Sequence, residues 1–130
     1  MRYFHFAACS PTLQAQGEVC NLFCAGEKAG AMVGHTEAIV TGYLARHNAV
    51  RSDKGVEPLA YPTKLGVGDF VNHVISEMRH PEGRQYKYTF SGSIYFKRMQ
   101  EKGLYSTESS KIHERVAQTG WTDRFSRHPE

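Results

Sequence analysis

Asn21-Leu22-Phe23-Cys24-Ala25 is a short apolar run that stops at Gly26. Its length and the glycine beside it predict a buried strand. Gly26, Gly30 and Gly34 follow at every fourth position. Three glycines would cost a helix roughly 3 kcal/mol against alanine, so this stretch reads as loop. Ile39, Val40, Tyr43, Leu44 and Val50 then give an apolar face, and a helix is expected from about Thr36 to Val50. Thr36 can serve as its N-cap. Ala38, Gly42 and Ala45 add a stripe of small residues that lets another backbone approach. Residues 1 to about 20 keep no period: Pro11 interrupts them, and Gln14-Ala15-Gln16-Gly17 reads as loop.

Pro58 and Pro62 mark a connector. Asp69 then looks like an N-cap, and Phe70, Val71, Val74, Ile75 and Met78 line one helical face to about His80. Pro81-Glu82-Gly83 stops that helix. Tyr86, Tyr88 and Phe90 alternate with Lys87 and Thr89, as a short strand or an extended loop would. Ser93 to Lys102 reads as a helix with Ile94, Met99 and either Tyr95 or Phe96 inward, and Gly103 at its C′ position. A last helix is expected over about Thr107 to Thr119, with Ile112 and Val116 on one face and Gly120 past its end. Trp121 and Phe125 are expected to fold back as anchors. The fold class is therefore α+β, mostly helical. Residues 1–52 form a strand–glycine loop–helix unit and residues 53–130 a small helical region.

The 130 residues suffice for one domain or part of one. With 40% apolar and 22% charged residues, and a mean hydropathy of −0.51, the chain is globular rather than collagen-like or disordered. A formal charge of +3 permits an acidic partner such as RNA without demanding one. No stretch reaches the roughly 18 apolar residues that cross a bilayer, so no membrane partner is expected. Met1 to Ser10 faintly resembles a secretory signal, but its apolar run is short and broken by His5. Three cysteines without framework spacing suit a reducing, cytoplasmic setting. Cys20 and Cys24 lack a second Cys/His pair, and His35 alone leaves the set short, so no metal is expected.

A strand that runs through a glycine turn into a helix N-terminus makes an anion site, because free N–H groups point at the ligand. The dinucleotide fingerprint G-x-G-x-x-G is absent, and Gly66-Val67-Gly68 lacks the third glycine. Spacing alone leaves the loop open as a plain connector or a ligand loop. Asn21-Leu22-Phe23-Cys24-Ala25-Gly26-Glu27-Lys28-Ala29-Gly30 resembles the C-terminal flavin-binding motif of FAD-dependent oxidoreductases. It is most similar to the glucose-inhibited division protein A and folate-dependent tRNA uracil methyltransferase group. Val33 to Arg51 resembles the helix that follows in that group. Leu65 to Asp69 and Tyr88 to Phe96 resemble the end of a shorter branch of it.

This resemblance implies an FAD site built from Ala25, Gly26, Glu27, Gly30, Gly34, His35 and Thr36. Glu27 would face the ribityl or pyrophosphate part. Gly26 and Gly30 would allow close backbone approach. Gly34-His35-Thr36 and the helix start would face the carbonyl edge of the isoalloxazine, where the helix dipole favours negative charge. It also implies a C-terminal fragment of a flavin oxidoreductase of tRNA modification, which is inactive by itself, completes its site with a missing N-terminal portion and holds little FAD alone. The other reading is a non-catalytic module that binds a partner protein or RNA without a cofactor. Residue by residue, plainer roles stay open. His35 can be a loop residue, Glu27 and Lys28 a solvated turn, His47 a cation at a helix end, and Cys24 a core residue. Lys87, Lys97, Arg98, Lys102 and Lys111, with Tyr86, Tyr88 and Tyr95, could make an RNA-facing stripe or a solvated surface.

Overall fold

A computed structural model describes residues 8–127, so most of the signal-like segment Met1–Ser10 lies outside the described residues. Five helices follow in order: α1 (Glu27–Gly30), α2 (His35–Asp53), α3 (Gly66–Glu77), α4 (Ser93–Glu101) and α5 (Ser109–Thr119). Two 3-10 turns, Gly83–Gln85 and Arg124–Ser126, complete the set. The mostly helical expectation holds.

The strand does not form. Among the described residues only isolated bridges occur, Cys9 with Ala15 and Gln14 with Phe23 (antiparallel) and Met32 with Tyr88 (parallel). The apolar run 21–25 finds a single neighbour, the segment 13–15, with Ala15 N–H donating to Leu22 (2.8 Å) and Cys24 N–H to Leu13 (2.9 Å). Leu13 itself has φ +66, which turns the neighbour out of extended geometry after one pair. A ladder needs consecutive extended residues on both sides, and here it stops at one bridge. Tyr88 is likewise an extended residue with one bridge.

The glycine loop also differs from expectation, since it contains the single turn α1. Gly26 (φ +56) precedes that turn and Gly30 ends it, so no glycine occupies its interior and the helix cost is avoided. α2 starts one residue before Thr36, with Gly34 in the cap position and no side-chain cap, so Thr36 is not the N-cap. α3 starts at Gly66, so Asp69 is not a cap either but a buried residue of the first turn.

The face of α3 is as the periodicity requires, with Phe70, Val71, Val74, Ile75 and Met78 all buried. These residues meet Leu13, Met32, Leu44 and Tyr95 in one core. Phe70 stacks against Phe90 (centroids 4.4 Å) and edge-on to Tyr95 (4.8 Å). On α4, Tyr95 and Met99 point inward but Ile94 is exposed, and on α5 Ile112 is exposed while Val116 is half-buried. Gly103 (φ +66) and Gly120 (φ +71) take the left-handed conformation that ends a helix. Trp121 and Phe125 do fold back, onto Tyr61 (5.1 and 6.0 Å) and, for Phe125, onto His47 (5.2 Å).

Candidate functional site

The face that α2 buries is not its apolar one. Glu37, Thr41 and Asn48 are buried beside Leu44 and Ala45, whereas Ile39, Tyr43 and Val50 are exposed. Each buried polar residue holds a distant piece of backbone. Thr41 Oγ1 accepts from Gly26 N–H (2.9 Å) and donates to Glu37 O (2.6 Å). Glu37 Oε1 accepts from Phe90 N–H (2.6 Å). Asn48 Nδ2 donates to Thr12 O (2.9 Å) and Leu59 O (2.7 Å), and its Oδ1 accepts from Leu59 N–H (2.7 Å). No buried side-chain polar atom among the described residues lacks a partner. Both hydrogens of the Asn48 amide and one lone pair of its oxygen are thereby used, and the helix is pinned at its start, middle and end.

These pins place the motif residues. Thr41 ties Gly26 to α2, which sets α1 beside the helix start. Glu27, His35 and Thr36 are exposed there, Ala25 is half-buried, and Gly26 and Gly30 are buried. Gly34, at φ +120, leaves the first turn of α2 without a side-chain cap. A helix start of this kind can take a hydrogen-bond acceptor, and its dipole favours negative charge.

Two of the three glycines serve the chain's own packing. A Cβ on Gly30 would meet Met78 Cγ at 2.8 Å, and one on Gly34 would run into the Glu37 carboxylate. At Gly26 a Cβ would find ordinary contacts, 3.8 Å from Met32 O, but φ +56 still favours glycine. Glu27, His35 and Thr36 stay exposed beside the uncapped start of α2, and donors and acceptors of this kind suit the polar edge of a flavin. The close backbone approach expected of Gly30 is taken by α3.

A second polar centre escaped the sequence reading. The Asp69 carboxylate is almost fully buried and accepts from Tyr95 OH (2.9 Å), Arg98 Nε (2.9 Å), Arg98 Nη2 (3.0 Å) and Lys102 Nζ (2.7 Å). Burial raises its pKa, but the bonds from Arg98, Lys102 and Tyr95 outweigh that and hold it at about 2. Burial and the Asp69 bond push the Tyr95 phenol well up. Tyr95, Arg98 and Lys102 stand at i, i+3 and i+7, one face of α4, which was the available signal. This cluster also takes Arg98 and Lys102 out of the basic stripe. Lys97 pairs with Glu101 (4.0 Å) and Lys111 with Glu108 (2.8 Å).

Comparison with known proteins bears on the first of these sites. The family described as "Glucose inhibited division protein A" matches residues 2–57, a segment that holds Ala25 to Thr36 entire. A protein named methylenetetrahydrofolate–tRNA-(uracil-5-)-methyltransferase TrmFO, from Desulforudis audaxviator (strain MP104C), is 34% identical over 67 residues. That alignment covers 52% of this chain and 15% of the relative. No solved structure matches. The motif around Gly26 and the α2 helix thus relate this chain to the glucose inhibited division protein A and TrmFO group.

Proposed function

We propose that this chain is the C-terminal part of an FAD-dependent oxidoreductase, with the start of α2 as one wall of the flavin site. The match of residues 2–57 to glucose inhibited division protein A carries the reading. On it, residues 1–52 are the last portion of an FAD-binding domain and residues 53–130 a helical region packed behind it. Bound FAD would supply hydride or electron transfer. This chain would orient it: the first-turn N–H groups of α2 donate to the carbonyl edge, and the helix dipole steadies negative charge there. Exposed Glu27 accepts a hydrogen bond from a hydroxyl of the ribityl chain, and exposed His35 and Thr36 line the approach.

The N-terminal flavin and substrate portion is the proposed partner. α2 supports this. Ile39, Tyr43 and Val50 are exposed, and at about 100° per residue they form one narrow stripe opposite Glu37, Thr41 and Asn48. An apolar stripe within the related segment is what a helix packed on two sides requires. tRNA modification is the proposed setting, drawn from the name of the TrmFO relative, and the cytoplasm its place, in keeping with three free cysteines. No helix of the described residues is long and apolar enough to cross a membrane.

The test is flavin retention. The chain is purified alone and together with the part of the TrmFO relative that precedes the matched segment, expressed as a second polypeptide. Flavin absorbance is read after gel filtration, and FAD is titrated calorimetrically into the chain alone. The expected result is FAD held by the pair and released by this chain alone. Tight one-to-one binding by the chain alone, or a pair that holds none, overturns the proposal.

A further inference from the structure

The arm that precedes α1 carries all three cysteines, Cys9, Cys20 and Cys24. Its two ends fold against one central segment, residues 13–15. Ser10 N–H donates to Gln14 O (3.0 Å) and Gln16 N–H to Ala8 O (2.7 Å) on one side. Cys24 N–H donates to Leu13 O (2.9 Å) on the other. The turn Ser10–Leu13, closed by Leu13 N–H to Ser10 O at 2.8 Å, brings the two sides together. Cys9 belongs to the buried core, Cys24 is half-buried and packs on that same core, and the two thiols interact. Cys20 is exposed. A pocket of about 120 Å³ lined by Lys87, Thr89 and Ile94 holds nothing that points to a ligand.

We infer that Cys9 and Cys24 are a thiol–disulfide exchange site, which a small disulfide such as oxidised glutathione converts to an intramolecular disulfide across the arm. Cys24, the more accessible thiol, loses its proton and attacks one sulfur of the oxidant, and the first glutathione leaves as thiolate and takes up a proton. Cys9 then loses its proton and attacks the Cys24 sulfur, and the second glutathione leaves. Two protein thiols give up two hydrogens and two electrons, and one oxidised glutathione becomes two reduced ones. Burial and the neighbouring Cys24 push the Cys9 thiol up to about 12. Burial, the larger cause, persists once Cys24 is in the mixed disulfide, so the closing step is slow at neutral pH and quickens as pH rises. The product fixes the arm that Thr12 anchors to Asn48 of α2.

Glu18 lies between Cys9 and Cys20, and Glu27 follows Cys24, so cleavage after glutamate separates Cys9 from a Val19–Glu27 peptide. The full chain is incubated with oxidised glutathione at pH 8, blocked, cleaved and mapped by mass. The expected product joins those two peptides, is split by reductant, and persists in Cys20→Ser. Cys9→Ser instead traps a glutathione adduct on Cys24. A bond confined to the Val19–Glu27 peptide, a cross-link lost in Cys20→Ser, or glutathione on Cys20 alone overturns the inference. Should Cys9→Ser fail to fold, the wild-type and Cys20→Ser maps decide it.

Discussion

Asp69→Asn separates charge from shape at the α3–α4 contact. The substitution keeps the size of the side chain but removes the charge that Arg98 and Lys102 share. The gap between the ordinary 3.8 and about 2 measures the stabilisation of the charged form. At about 1.4 kcal/mol per pH unit it comes to about 2.4 kcal/mol. Arg98 and Lys102 are 34% and 48% exposed, so water screens them and about 2 kcal/mol is the working figure. The sign follows from linkage. A carboxyl depressed in the folded state stabilises the protein above its unfolded pKa, and that stability is lost as pH falls through the folded one. Wild type should exceed Asp69→Asn by about 2 kcal/mol at pH 7, with about half of the difference gone by pH 3. Urea unfolding followed by helical circular dichroism, at pH 7, 5, 4 and 3, reads it as a change in midpoint at constant slope. A difference that does not shrink between pH 5 and pH 3 would show that the Asp69 charge does not hold α3 to α4.

Asn48→Ala removes the three hydrogen bonds of a buried amide and strands Leu59 N–H, so urea midpoints should report a loss of about 3 kcal/mol. Gly68→Ala should cost at least about 2 kcal/mol, because its Cβ meets the Pro62 carbonyl of the backbone, which cannot rotate away. Gly42→Ala, in α2 with nothing within 4 Å of its Cβ, should instead raise the thermal midpoint, by up to about 1 kcal/mol of stability. His47 and His73 are both lowered from 6.5, chiefly by burial, with Arg51 and Arg124 beside the first and Arg98 beside the second. The unfolded chain therefore binds their protons first, stability falls as pH drops below 6.5, and their imidazole resonances should titrate below that value in an NMR series.

The elements that were legible and those that were not divide by the range of the forces that set them. The apolar face of α3 was legible because it is local: Phe70, Val74 and Ile75 need only the helical period to find one side. The ends of α4 and α5 were legible for the same reason, through Gly103 and Gly120. The orientation of α2 was not. Its apolar residues lie outward because Glu37, Thr41 and Asn48 are claimed by Phe90, Gly26, Thr12 and Leu59, up to 53 positions away. No single window that reads a helical period contains all of those partners. A buried amide or carboxylate costs a few kcal/mol unless each bond is met, so once they are met the polar face is the one that stays inside. Asp69 was misread by a similar route, since aspartate before an apolar run is a common cap and its actual partners begin 26 positions on.

The candidate site shows how the same residues can serve two demands. Gly30 and Gly34 resemble a ligand loop in spacing, yet Met78 and the Glu37 carboxylate occupy the space that their missing side chains leave. Glu27, His35 and Thr36 stay exposed beside the uncapped first turn of α2. They sit at one end of the helix whose outward stripe is Ile39, Tyr43 and Val50. A helix that pins itself inward with polar bonds and keeps its apolar side outward gains little from that side beyond the contact of Tyr43 with Phe125 (centroids 6.0 Å), because the hydrophobic effect opposes exposure. The arrangement becomes favourable when a second surface covers the stripe, and such a cover would also reach the helix start, where a flavin edge is proposed to lie.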